Sequence, residues 1–211
     1  MPDLRDQIPG YAEALAKEQA SRNAAFIDIT ETVCGFELRQ MTLRDYLILQ
    51  SARNPVLVGG TPSPVELVAF LWLLSPGYRP ALTFAGWINS WAFAIRCRKF
   101  LPRGKGDDHE RISSAAKIIE ACRAYVEETF QDSGPRASSG AWMPDYWSDG
   151  AELCARMGRE YGWAPEVTLG LPMKAILQFC SEIRSHNGSR VPLCNPSDRI
   201  RSDWMLSQRR N

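Results

Sequence analysis

With 211 residues, 45% of them apolar, the chain is long enough to build one good core or at most two small domains. Its 25 Lys and Arg nearly balance 24 Asp and Glu, a net charge of +1, which argues against a dedicated nucleic-acid or anionic-membrane binder, since those carry a basic excess. The six cysteines, Cys34, Cys97, Cys122, Cys154, Cys180 and Cys194, include no C-x-x-C pair and read as reduced thiols rather than a disulfide framework.

The opening residues, MPDLRDQIPGYAEALAKEQA, contain no apolar core of a secretory signal. The longest apolar run, Val65 to Leu74, is about half a membrane span. The expectation is a cytoplasmic protein that does not enter the membrane.

Tyr11 to about Ala25 is rich in Ala, Glu, Lys and Gln, which gives strong helix propensity with a weak apolar stripe. Residues 1–26 are therefore expected as an N-terminal helix or arm, and 27–211 as a single helical domain. Ile27, Ile29 and Val33 precede Cys34-Gly35, and Phe36, Leu38 and Met41 follow; this spacing predicts a small β-hairpin. Thr42 and Asp45 form a capping box for the next helix, with Leu43, Tyr46 and Leu47 on its inner face and a stop at Asn54-Pro55. Asn54 to Pro64 reads as a connecting loop.

Ser63, Pro64 and Glu66 give the strongest helix start in the chain. From Val65 to Leu74 only Glu66 is polar, so this helix is expected to be buried on every face. The following one carries Phe84, Trp87, Ile88, Trp91 and Ile95 at helical spacing, read as a core-facing stripe. A long helix is expected from about Asp108 to Phe130, with Ile112, Ala115, Ala116, Ile119, Cys122, Val126 and Phe130 along one face. Residues 133–140 (SGPRASSG) read as a flexible insertion and the natural place for a boundary.

Beyond it, Trp147, Ala151, Cys154 and Tyr161 share a helical face, and a single turn follows at Pro165 to Leu169. Pro172 opens a helix bearing Met173, Ile176, Leu177, Cys180 and Ile183, which stops at His186-Asn187-Gly188. Asn195-Pro196-Ser197-Asp198 caps a last helix with Ile200 and Trp204. The fold class is all-α: a compact multi-helix domain of seven or eight helices with one small hairpin near the N-terminus.

No chemical motif emerges. His109 lies among Asp107, Asp108 and Glu110, but consecutive residues cannot converge on one ion, and acids in a first helical turn are favoured by the helix dipole. His186 sits at a helix C-terminus, where an imidazolium is favourable. Cys122, Cys154 and Cys180 fall on apolar stripes, which marks them as buried thiols. Cys97, between Arg96 and Arg98, is the one thiol with an electropositive setting. The cations Arg96, Arg98, Lys99, Arg103 and Lys105 are offset at once by Asp107, Asp108 and Glu110, and Gly104-Lys105-Gly106 lacks the spacing of a phosphate loop. No catalytic, cofactor-binding or metal-binding set is assigned. The seven tryptophans exceed the needs of the core, and Trp142, beside the flexible segment, suits an interface anchor.

Four blocks in order carry a family resemblance: MTLRDYLILQSARNP (Met41 to Pro55), PVELVAFLWLLSPGY (Pro64 to Tyr78), YGWAPEVTLGLPMKAILQF (Tyr161 to Phe179) and NPSDRIRSDW (Asn195 to Trp204). Their succession resembles the tail assembly chaperones encoded just before the tape-measure gene of tailed phages and prophages. The blocks cover somewhat over a quarter of the chain, and their order is more specific than any one of them.

The resemblance implies a non-enzymatic factor of the bacterial host cytoplasm. Such a factor needs no cofactor, binds the tape-measure protein and recruits tail-tube subunits. The candidate partner-binding residues are Trp87, Trp91, Trp142, Trp163 and Trp204. The chain departs from smaller members in length and in the insertion Pro102 to Gly140, which leaves open a structural tail or head-tail protein of the virion. An enzyme using Cys97 or the Asp107–Glu110 cluster is the remaining alternative.

Overall fold

The computed structural model describes residues 7–27, 29–79, 84–98, 109–130, 149–187 and 196–208. The protein is all-α with one small antiparallel hairpin, as the sequence implies. The elements are α1 (Tyr11–Ala24), β1 (Thr30–Val33), β2 (Phe36–Arg39), α2 (Leu43–Ser51), α3 (Pro55–Val58), α4 (Pro64–Leu74), α5 (Phe84–Cys97), α6 (His109–Phe130), α7 (Asp149–Tyr161), α8 (Pro165–Gly170), α9 (Met173–His186) and α10 (Pro196–Gln208). They group into two compact units, Asp28–Thr129 and Met1–Ile27 with Phe130–Asn211.

The unit Asp28–Thr129 starts with the hairpin. Cys34 and Gly35 both have positive φ (48° and 81°) and link Val33 to Phe36, the pair that closes the ladder. Two left-handed central residues match the twist of a two-residue hairpin loop. Alternation then puts Val33, Phe36 and Leu38 into the core, while Thr30, Thr32 and Glu37 face outward. Ile27, read from the sequence as a hairpin residue, lies before β1 and is exposed.

Thr42 and Asp45 form the expected capping box of α2, whose buried residues are Leu43, Asp45, Tyr46 and Leu49. The stretch read as a loop contains α3. Asn54 makes that single turn worthwhile: its Oδ1 accepts from the Val56 N–H at 3.0 Å and its Nδ2 donates to the Glu66 carbonyl at 2.9 Å. Ser63 and Glu66 cap α4 reciprocally. Leu67, Phe70, Leu71, Leu73 and Leu74 of α4 are buried, but Val65 is exposed, so the helix is not enclosed on every face. Along α6 the buried line is Ala115, Ile118, Cys122, Tyr125, Val126 and Thr129; Ala116, placed on that face from the sequence, is exposed.

In the other unit, α1 packs against α9 and α10. None of its own residues is buried, so polar contacts hold it. Glu18 accepts from the Ser197 N–H (2.7 Å) and hydroxyl (2.8 Å), Lys174 Nζ donates to Ser21 Oγ (2.7 Å), and Gln178 Nε2 donates to the Arg22 carbonyl (3.1 Å). Ile8 before α1 and Ala25 after it supply the apolar anchors. The core here is Met157, Met173, Ala175, Ile176, Cys180 and Ile183, with the fully buried Thr168 of α8 beside it in sequence. On α7 it is Met157 that is fully buried, while Ala151 and Tyr161 are exposed. The proposed insertion 133–140, Trp142, Trp147, Asp107 and Asp108 lie outside the described residues.

Candidate interaction surfaces

Helix α5 turns the other way from the sequence expectation. Gly86 and Cys97 are buried, and Ser90 and Phe93 half-buried, at i, i+4, i+7 and i+11. The Phe93 ring meets Trp72 of α4 at 5.2 Å and Phe36 of β2 at 6.0 Å. Small residues on this face let the α5 backbone come close to its neighbours. The larger stripe is thereby left outside: Trp87 is 59% exposed, Trp91 60%, Ile88 41% and Ile95 39%. Two apolar faces run side by side on this helix, and bulk alone pointed to the wrong one. Scattered exposed apolar residues are ordinary, but four large ones in helical register form a patch of the kind used for recognition.

The C-terminal end of this stripe is basic. Arg96 donates to the Gly35 carbonyl at 3.2 Å and lies over the Phe36 ring at 5.8 Å. Arg98 is exposed one residue past Cys97, and Phe84–Cys97 contains no carboxylate.

Cys97 keeps the neighbouring cation expected from the sequence but lacks the exposure a reactive thiol needs. The thiol is buried, and burial pushes its pKa up to about 11 against a smaller opposing pull from Arg96. At neutral pH it is a protonated core residue, and the thiolate is the reactive form. Burial likewise pushes Cys122 up to about 12, with the neighbouring Cys34 adding to it. Cys34 itself is exposed, its Sγ donating to the Lys117 carbonyl at 3.8 Å. Among the described residues, no three His, Cys, Asp or Glu side chains lie together as a metal site.

The polar cluster of Arg39, Asp45 and Tyr125 is a clamp in the core. Tyr125 of α6 donates to the Arg39 carbonyl and accepts from the Met41 N–H, both at 2.9 Å, and burial holds its phenol well above the ordinary range. Each of these groups is occupied by another part of the chain.

A second surface forms where Trp163 lies. Phe179 of α9 meets three rings edge-on: Phe26 at 5.6 Å, Tyr161 at 5.3 Å and Trp163 at 5.0 Å. Tyr161 stacks on Trp163 at 4.9 Å with 24° between planes. The cluster is open at its rim, with Phe26 56% and Tyr161 40% exposed. Trp204 of α10 is half-buried. Thus Trp87 and Trp91 stand together on one helix and Trp163 belongs to a different group. Tyr161 is two residues from Trp163, but Phe179 of α9 and, through it, Phe26 join them from distant parts of the chain, which no local spacing announces.

No described helix is long and apolar enough to cross a membrane. Comparison with models of protein families, with curated proteins and with solved structures finds no match for the chain.

Proposed function

We propose that this protein is a non-enzymatic morphogenesis factor of a tailed phage or prophage. In this reading it acts in the host cytoplasm, binding the tape-measure protein and tail-tube subunits during tail assembly. The sequence blocks Met41 to Pro55, Pro64 to Tyr78, Tyr161 to Phe179 and Asn195 to Trp204 suggest the partner. The observation that carries the reading is the exposed stripe of Trp87, Ile88, Trp91 and Ile95.

An amphipathic helix laid along α5 would cover that stripe with its own residues at i, i+3, i+4 and i+7. Covering these four side chains would contribute on the order of 4 kcal/mol, given about 1.5–3 kcal/mol for complete burial of each and their partial burial already. The two tryptophans of the patch suit the role of anchors. Withholding such a helix from water is what a long helical partner needs before its own assembly. The enzyme alternative based on Cys97 has little support, because that thiol is buried and protonated at neutral pH.

Co-purification of the full chain with a tape-measure fragment tests the proposal. The chain is expected to retain the fragment, and Trp87→Asp with Trp91→Asp to release it while the helical circular dichroism is unchanged. Failure of the unaltered chain to bind would overturn the reading. Mass spectrometry of purified particles distinguishes a chaperone, expected to be absent, from the alternative of a structural virion protein.

A further inference from the structure

The aromatic cluster around Phe179 is separate from the α5 stripe on which the proposed function rests, and its surroundings are chemically different. Four rings from three parts of the chain converge: Phe26 after α1, Tyr161 and Trp163 flanking the end of α7, and Phe179 on α9. Exposed Ile27 adjoins Phe26 in sequence, and exposed Val167 of α8 follows Trp163 by four residues. Such a group would cost less if closed over, yet its outer rings remain in water.

The carboxylates nearest Tyr161 are Glu182 and Glu160, while Arg156 and Arg184 lie towards Cys180. Tyr161 has its phenol pKa raised, first by burial and then by Glu182, Cys180 and Glu160. Glu182 is exposed on α9. Glu160 faces Arg159 Nε at 3.6 Å, but both are exposed neighbours in the chain, a pairing worth little in water and easily exchanged. Lys174 is turned to Ser21 Oγ.

We infer that this platform docks a basic amphipathic segment of another protein, its apolar side chains meeting Phe26, Tyr161 and Trp163 and its Lys or Arg residues meeting Glu160 and Glu182. Cations also lie favourably over aromatic faces, so one Lys or Arg can use ring and carboxylate together. The end of the α5 stripe carries cations instead, Arg96 and Arg98.

The test uses the full chain and a fluorescein-labelled synthetic helical peptide of Leu and Lys in amphipathic order, alongside the same peptide with Glu for every Lys. Fluorescence anisotropy is expected to show the Lys peptide binding about tenfold tighter, with the preference shrinking as salt is raised. Glu160→Gln with Glu182→Gln alters charge at two exposed sites and leaves the rings alone; it is expected to remove most of that preference. Phe26→Ser is expected to weaken the Lys peptide several-fold. Trp87→Asp with Trp91→Asp should leave it unchanged, so failure of the tape-measure reading and failure of this one are separately visible. Equal binding of the two peptides, no binding of either, or loss of the Lys peptide in the Trp87/Trp91 variant would each overturn the inference.

Discussion

Arg39 and Asp45 meet through two parallel hydrogen bonds, Nη1 to Oδ2 at 2.6 Å and Nη2 to Oδ1 at 2.8 Å. The same guanidinium donates to the Leu73 carbonyl at 3.0 Å, and the same carboxylate accepts from the Thr42 N–H at 2.9 Å. One ion pair thus ties the end of β2 to the start of α2 and the last turn of α4. Tyr125 closes the clamp from α6.

Asp45→Ala is expected to be among the most damaging single changes. It removes the carboxylate half of the capping box and leaves the half-buried Arg39 charge without its partner, a loss of about 3 kcal/mol. Urea unfolding followed by circular dichroism should show it. A loss below about 1 kcal/mol would mean the clamp is not the tie described.

Trp87→Ser and Trp91→Ser are expected to cost less than about 1 kcal/mol each in the isolated protein, because surface substitutions away from packed features are mild. Were these rings in a core, truncation would cost about 3–5 kcal/mol. Thermal unfolding of the two variants separates the outcomes by a wide margin.

Stability is expected to fall as pH rises from about 9 to about 11. The folded pKa of Cys97 (about 11) and that of Cys122 (about 12) both lie above the ordinary thiol value, through burial. Over that window the unfolded thiols have released protons that the folded ones keep, so unfolding is favoured by about 1.4 kcal/mol per pH unit for each thiol. Below pH 8 these two groups contribute no pH dependence. Replacing Cys97 with Ala should flatten the alkaline slope in urea titrations. Iodoacetamide at pH 8 should modify exposed Cys34 well before either.

Cys34→Asn is expected to stabilise the hairpin by a few tenths of a kcal/mol. Cys34 holds φ 48° immediately before Gly35 at φ 81°, and Asn-Gly is the favoured pair for a turn with two left-handed residues. Gly35→Ala, which puts a Cβ at that φ, should instead destabilise by about 1 kcal/mol. Paired thermal melts give the two signs.

Much of the local structure was legible because it depends on neighbours in sequence. The capping boxes Thr42/Asp45 and Ser63/Glu66, the Cys34-Gly35 turn and the stop after His186 are all decided within a few residues. Asn54 shows where that reading ends: the helical turn it starts depends on the Glu66 carbonyl, a partner twelve positions away.

By itself the sequence determined the all-α class, the hairpin, most helix limits and the presence of an apolar face on α5. Only the tertiary structure decided which of two adjacent faces of that helix meets the core, and it chose Gly86, Ser90, Phe93 and Cys97 over the tryptophans. It also gathered Phe26, Tyr161, Trp163 and Phe179 into one cluster. Periodicity records that a face is apolar, but close approach of backbones and the shape of the neighbouring helix determine what covers it.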